Sequence, residues 1–129
     1  MWYLREFFRR QSLNARFTLK KNSDFRRLYS KGKNAVTAYL VVYIRRNKLE
    51  RNRTGFTVSA KLGNAVTRNR IRRQMREIYR QNSVRMKTGY DIIVVARSRC
   101  VNGDFHKMED AFIAACDKLG IFSEGENAE

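Results

Sequence analysis

Residues 61–80 read KLGNAVTRNRIRRQMREIYR, a stretch in which Lys61 and six arginines stand against a single acid, Glu77. On a helix of about 3.6 residues per turn, Ile71, Met75, Ile78 and Tyr79 share one face. Arg68, Arg72, Arg76 and Arg80 form a neighbouring ridge, with Asn69 and Arg73 beside it. Such a helix has an apolar seam to bury and a broad guanidinium face left over. Charges of one sign at this density repel one another, and a polyanion offsets that cost. A solvated charged face is the plainer reading, but it suits helices of mixed sign, and here nearly every charge is positive.

Working outward, GFTVSA at 55–60 reads as a strand, with Phe56 and Val58 on an apolar face and Thr57 and Ser59 on a small polar one. YLVVYIR at 39–45 is β-branched and aromatic throughout, and a short strand precedes it at 34–36. Its two faces, Leu40, Val42, Ile44 and Tyr39, Val41, Tyr43, are both apolar. One belongs in a core packed on helices, and the other has no water-facing character either. Asn22 or Ser23 can cap a short amphipathic helix of about two turns, with Phe25, Leu28 and Tyr29 apolar and Gly32 as its stop. Downstream, YDIIVVA at 90–96 is apolar enough for a central strand. A last helix follows, capped by Asn102 or Asp104, with a stripe of Phe105, Met108, Phe112, Cys116 and Leu119. That stripe makes Cys116 a core residue rather than a nucleophile, and His106 lies off it.

The order of elements predicts an α/β sandwich, one sheet with helices packed on it. A single domain is expected over 19–120, preceded by an extension at 1–18 and followed by an acidic, loose tail at 121–129. The extension allows two readings, a short amphipathic helix through Trp2, Leu4, Phe7 and Phe8 or a frayed end.

The chain has 129 residues and a net charge of +16, with 43% hydrophobic and 31% charged residues. This is the composition of a globular protein with a polyanionic partner: nucleic acid first, an anionic membrane surface second. No run of about eighteen apolar residues crosses a bilayer. Two cysteines give no disulfide framework, so a reducing cytoplasm is expected. The spacing of Cys100, His106 and Cys116 fits no usual zinc site. Paired carboxylates, a nucleophile with its base, and a glycine-rich phosphate loop are all missing. The chain does not read as a self-sufficient enzyme.

FTVSAKLGNAVTRNRIRRQMREIYR closely resembles the signature of the bacterial ribonuclease P protein component, whose namesake motif is matched by Arg68-Asn69-Arg70. KKNSDFRRLYSKGK is similar to that family's first helix, and GYDIIVVAR to its late strand, in the same order. The resemblance covers roughly residues 16–120. It implies an α+β (αβββαβα) sandwich with a four-stranded sheet and a left-handed βαβ crossover, against the usual right-handed preference.

The resemblance also implies the protein subunit of an endoribonuclease, a hydrolase that removes the 5′ leader from precursor tRNA. In that family the active site and its Mg2+ lie in the RNA subunit, so this chain would carry no catalytic residue and bind no cofactor or metal by itself. Its partners would be one ribonuclease P RNA and precursor tRNA, with no membrane. Contacts to the RNA subunit would fall to Lys61, Arg68, Asn69, Arg70, Arg72, Arg73 and Arg76. Phe25, Tyr29, Val41 and Tyr43 would wall a cleft for the leader, whose unpaired bases stack on aromatic rings. Three departures from the family pattern stand out: Ala60 in place of a frequent lysine, Arg97-Ser98 in place of a frequent proline, and the long aromatic N-terminal segment.

If the arginine face neutralises about five phosphates, the log–log salt slope for RNA binding is expected between about −3.5 and −4.5. A titration of affinity against salt checks this, and a flat slope would show that another face binds.

Overall fold

Alternation along residues 40–46 sets the layers: Leu40, Val42 and Ile44 are buried, whereas Val41, Tyr43 and Arg45 are only half-buried. The computed structural model describes residues 18, 19 and 21–123. These fold as α1 (Asn22–Lys31), β1 (Lys33–Val36), β2 (Leu40–Arg46), β3 (Arg53–Thr57), α2 (Ala65–Asn82), β4 (Tyr90–Ala96) and α3 (Phe105–Leu119). Short 3-10 turns cover Ala60–Leu62, Ser83–Arg85 and Ser98–Asn102. This is the αβββαβα order expected of the α+β sandwich. The sheet runs β1-β2-β4-β3. β2 pairs antiparallel with both β1 and β4, whereas β3 runs parallel to β4. A parallel pair needs a long crossover, and α2 supplies it. The N-terminal extension expected at 1–18 lies outside the described residues except for Thr18.

One face of the sheet is closed. Leu40, Val42, Ile44, Ile92 and Val94 pack against Ile71, Met75, Ile78 and Tyr79 of α2 and against Met108, Phe112 and Cys116 of α3. The apolar seam anticipated for residues 71–79 is therefore the seam that is buried. Among the described residues the other face carries α1 alone, through a small cluster of Leu19, Leu28 and Ile93 with Phe25, Tyr43 and Val95 around it.

Two glycines allow α1 to come this close. A Cβ on Gly32 would lie 2.7 Å from the Leu28 carbonyl oxygen and 2.8 Å from that of Ile44, so glycine ends the helix by clearance, at an ordinary φ of −81°. A Cβ on Gly55 would lie 2.8 Å from Cζ of Phe25, so a bare backbone lets that ring rest on β3.

Three boundaries differ from the sequence reading. Lys21 precedes α1 as its cap residue with no side-chain hydrogen bond, in place of Asn22 or Ser23. β3 ends at Thr57, and Ser59 instead caps the turn Ala60–Leu62 by accepting from the Lys61 N–H. The packed domain runs beyond the boundary expected at residue 120. Ile121 and Phe122 are buried, and the Lys87 N–H donates to the Ile121 carbonyl at 2.7 Å. Apolar Ile121 and Phe122 follow Gly120, whose φ of 72° turns the chain back onto the core.

An ion network that the periodicity did not anticipate ties α1 to the sheet. Arg53 of β3 grips Asp91 of β4 with two hydrogen bonds, Nε to Oδ1 at 2.8 Å and Nη2 to Oδ2 at 2.7 Å. Its Nη1 lies 3.9 Å from Oδ2 of Asp24 on α1. Asp24 and Asp91 are 8% and 5% exposed. The hydrogen bond to Asp91 raises the Arg53 pKa further above its already high value, against the opposing effect of burial. Replacing Arg53 with methionine would keep the stem and strip both carboxylates of their cation. Because the Arg53 side chain is 26% exposed, the loss of folding stability is expected at about 2–3 kcal/mol, below the range for a fully buried pair. Denaturant unfolding measures it, and a change near zero would show that the network is dispensable.

Candidate RNA-binding surfaces

The start of α2 concentrates positive charge in three ways. Asn64 caps it, accepting from the Thr67 N–H at 3.0 Å, and its first turn holds no acid. The helix dipole therefore adds to the arginines rather than being offset by a carboxylate. Arg68 is steered by a bond from its Nε to the Gly63 carbonyl at 3.2 Å, and Arg72 by one from its Nη1 to Oδ1 of Asn69 at 3.0 Å. Lys61, Asn69, Arg73 and Arg76 are exposed.

The arginines are not equivalent. Arg70 turns into the protein, its Nη2 donating to the Val101 carbonyl at 2.5 Å. That bond clamps the turn Ser98–Asn102 onto α2. Arg80, at the far end of the helix, pairs with Glu77. Spacing placed Arg80 in the ridge and the resemblance placed Arg70 among the RNA contacts, and only the loop after β4 explains why Arg70 differs.

On the open sheet face the structure brings Phe25, Tyr29 and Tyr43 into one run. The Phe25 and Tyr29 rings are 6.5 Å apart, and Tyr29 meets Tyr43 edge-on at 4.9 Å. Tyr29 is 42% exposed. Val41 lies in the adjoining row, its register neighbours being Val36 and Val95, with Thr57 beyond. Val36, 55% exposed, and half-buried Val95 extend this apolar surface and were not foreseen. Val36 sits on a strand too short for its pattern to be read, and Val95 sits in a run apolar on both faces.

A cleft of about 340 Å³ opens at the N-terminal end of α1, lined by Phe25, Phe56, Gly55, Thr54, Leu19 and Arg76. Arg76 thus stands beside Phe25, so the two surfaces separated in the sequence reading meet there.

Neither cysteine is placed for chemistry. Burial pushes the Cys116 thiol up to about 12 and also raises that of Cys100. Among the described residues no three His, Cys, Asp or Glu side chains gather to hold a metal ion. The close carboxylates Asp24 and Asp91 are taken by Arg53. No helix among the described residues is long and apolar enough to cross a membrane.

A mixed sheet closed on one side, half-open and aromatic on the other, and crossed by a cationic helix defines a class of small, strongly basic α+β proteins. The family model described as Ribonuclease P matches residues 13–120. The chain is 46% identical over 107 residues to the ribonuclease P protein component of Natranaerobius thermophilus, covering 83% of this chain and 93% of that protein. It is 44% identical over 105 residues to that of Alkaliphilus metalliredigens, covering 81% and 95%. The Staphylococcus aureus RNase P protein structure superposes with a TM-score of 0.76 at 34% identity, covering 83% of this chain and 98% of that one. The protein from Thermotoga maritima gives 0.69 at 31% identity, covering 75% and 92%. The chain belongs to the ribonuclease P protein family.

The inward turn of Arg70 separates stability from binding. Arg70→Ala is expected to lower stability by about 1.5–3 kcal/mol, the range for a hydrogen bond to a charged group, whereas exposed Arg73→Ala should leave it within about 0.5 kcal/mol. Thermal unfolding of the two variants decides the matter, and equal midpoints would contradict the clamp.

Proposed function

We propose that this chain is the protein subunit of ribonuclease P, binding the RNA subunit through α2 and the 5′ leader of precursor tRNA across its half-open sheet face. Cleavage chemistry, with the magnesium ions that drive it, then belongs to the RNA subunit, and the chain supplies binding and placement, one copy per RNA in the cytoplasm. Family membership supports the assignment. The observation that carries the division of labour is the run Phe25–Tyr29–Tyr43 beside Arg76, an aromatic surface that the described residues leave partly exposed next to a cationic helix.

Each surface has a physical task. Arg68, Arg72 and Arg73, with Lys61 and Asn69, offer donors to backbone phosphates, and arginine suits this because its planar fork bonds two oxygens at once. Arg70 acts on this surface indirectly, through the turn it holds. Phe25, Tyr29, Val41 and Tyr43 offer an apolar, sequence-tolerant platform to unpaired bases, each stacking contact contributing roughly 1–3 kcal/mol.

Reconstitution with the RNA subunit from the same genome tests the assignment: the protein should restore precursor cleavage at low magnesium. No stimulation there would refute it. Arg68→Ala with Arg72→Ala should weaken assembly with the RNA subunit. Tyr43→Ala should weaken precursor binding by about tenfold and leave mature tRNA unchanged. Identical behaviour of the two variants would remove the division into two surfaces.

A further inference from the structure

A third basic region lies apart from both surfaces. Around the axis of α1, Leu28 points at the sheet and Phe25 and Tyr29 form one flank. Asp24, Arg27 and Lys31, spaced i, i+3 and i+7, form the other. Asp24 reaches Arg53 from that flank. Beside it a concavity of about 290 Å³ is lined by Arg27, Arg45, Arg46, Lys48 and Arg53, with Asn47 and Asp91. A second, of about 220 Å³, shares Arg45 and Arg46 and adds Lys31 and Lys33 over a floor of Ile44, Tyr90 and Leu119. The one acid in the two linings, Asp91, is already held by Arg53 and by the Asn47 amide at 3.0 Å. The guanidinium of Arg46 lies 5.7 Å from the centre of the Tyr90 ring. Lys48 is fixed at the rim with a φ of 65°, a conformation uncommon for a residue with a side chain.

This groove is not an extension of the arginine helix. Arg70 binds the turn that follows the C-terminal end of β4, whereas Arg46 pairs with Tyr90 at its start. Seven residues of strand separate those ends, a distance of about 20 Å. Strand alternation sets Arg45 on the face of Tyr43 and sets Lys33, Arg46 and Tyr90 on the opposite face, with Ile44, so the groove rounds the end of the sheet from its half-open side to its closed one. Arg45 stands two residues beyond Tyr43 on the same face of β2, about 7 Å further along.

We propose that this groove holds the leader upstream of the segment lying on the aromatic face, with backbone phosphates on Arg45, Arg46, Lys33 and Lys48 and an unpaired base against Tyr90. The inference rests on the leader-binding reading above. Single-stranded RNA fits better than a duplex. Small concavities with an aromatic or apolar floor and a cationic rim match a splayed nucleotide, whereas a duplex hides its bases and presents phosphates on a convex surface. Crossing α1, roughly 10–12 Å wide, would take the strand about two or three nucleotides.

The test compares mature tRNA with precursors carrying either a short leader, ending on the aromatic face, or one longer by about five nucleotides, each bound to the reconstituted holoenzyme. The wild type should bind the short-leader precursor more tightly than mature tRNA, and the long-leader precursor more tightly still. Lys33→Gln with Arg46→Gln, both exposed positions, should abolish only the second gain. Affinity for the long leader should fall about tenfold, and its salt slope should shrink by about 1.4, roughly 0.7 for each lost phosphate contact. An equal loss on all three RNAs, or on the RNA subunit alone, would overturn the proposal, as would no loss at all. Should that variant unfold early, Lys31→Gln with Lys48→Gln approaches the same groove from α1 and the loop and is held to the same outcome. If the wild type fails to distinguish short leader from mature tRNA, the leader-binding reading itself fails. If it makes that distinction and the variant keeps the long-leader gain, only the groove is refuted.

Discussion

The grip of Arg53 on Asp91, with Asp24 drawn to the same guanidinium, is the constraint on which the open half of the molecule depends. α1 has ten residues, too few to be stable alone, and it buries little beyond Leu28 against Ile93 and Leu19. A helix held by so small a cluster could roll about its axis. The ion network pins one flank of it to β3 and β4, which fixes the opposite flank and sets Phe25 and Tyr29 toward the uncovered part of the sheet. In a chain of net charge +16, two largely buried carboxylates are costly unless paired. Arg53 serves them and the sheet register together, because it bonds Asp91 directly across the parallel pair.

That constraint explains how positive charge is distributed. Arginines with internal work are absorbed: Arg53 by the carboxylates, Arg70 by the turn after β4, Arg80 by Glu77, and Arg97 by the Thr37 carbonyl at 2.6 Å. Among the rest, Arg68, Arg72, Arg73 and Arg76 stand on α2 and Arg45 and Arg46 at the end of β2. Net charge therefore overstates the number of phosphates the protein can neutralise. The useful count is the number of guanidinium and ammonium groups still turned outward.

Much of this was legible in the sequence, and what was not had physical reasons. The seam Ile71, Met75, Ile78, Tyr79 and the stripe through Met108, Phe112 and Cys116 were readable because helix periodicity survives packing. Which face of β2 closes was not readable from alternation, because both of its faces are apolar. The resemblance supplied Phe25, Tyr29, Val41 and Tyr43, and the structure sets three of them ring to ring. The role of Arg70 was hidden because its partner is a backbone carbonyl some thirty residues away, which carries no side-chain signal. The Arg53 network and the groove at Arg45 and Arg46 were hidden likewise. Both depend on strand register, and a turn rich in Arg, Lys and Asn reads as solvated loop whatever it faces. Ile121 and Phe122 were assigned to the tail because two apolar residues before an acidic run set no period.

The unfinished side of the sheet is where stability and binding pull in opposite directions. Covering Tyr29, Val36 and the outer side of Val41 and Val95 with a longer first helix would stabilise the fold, at about 25 cal/mol for each Å² of apolar surface removed from water. The chain instead ends α1 at Gly32, where carbonyls of Leu28 and Ile44 leave no room for a side chain, and turns at once into β1. The exposed surface that results is a row of rings and branched side chains with cations at both ends. Apolar surface framed in this way is poorly suited to a protein core partner, which would have to strip water from those cations without neutralising them. An RNA strand meets both demands, since its bases take the rings while its phosphates take the charge.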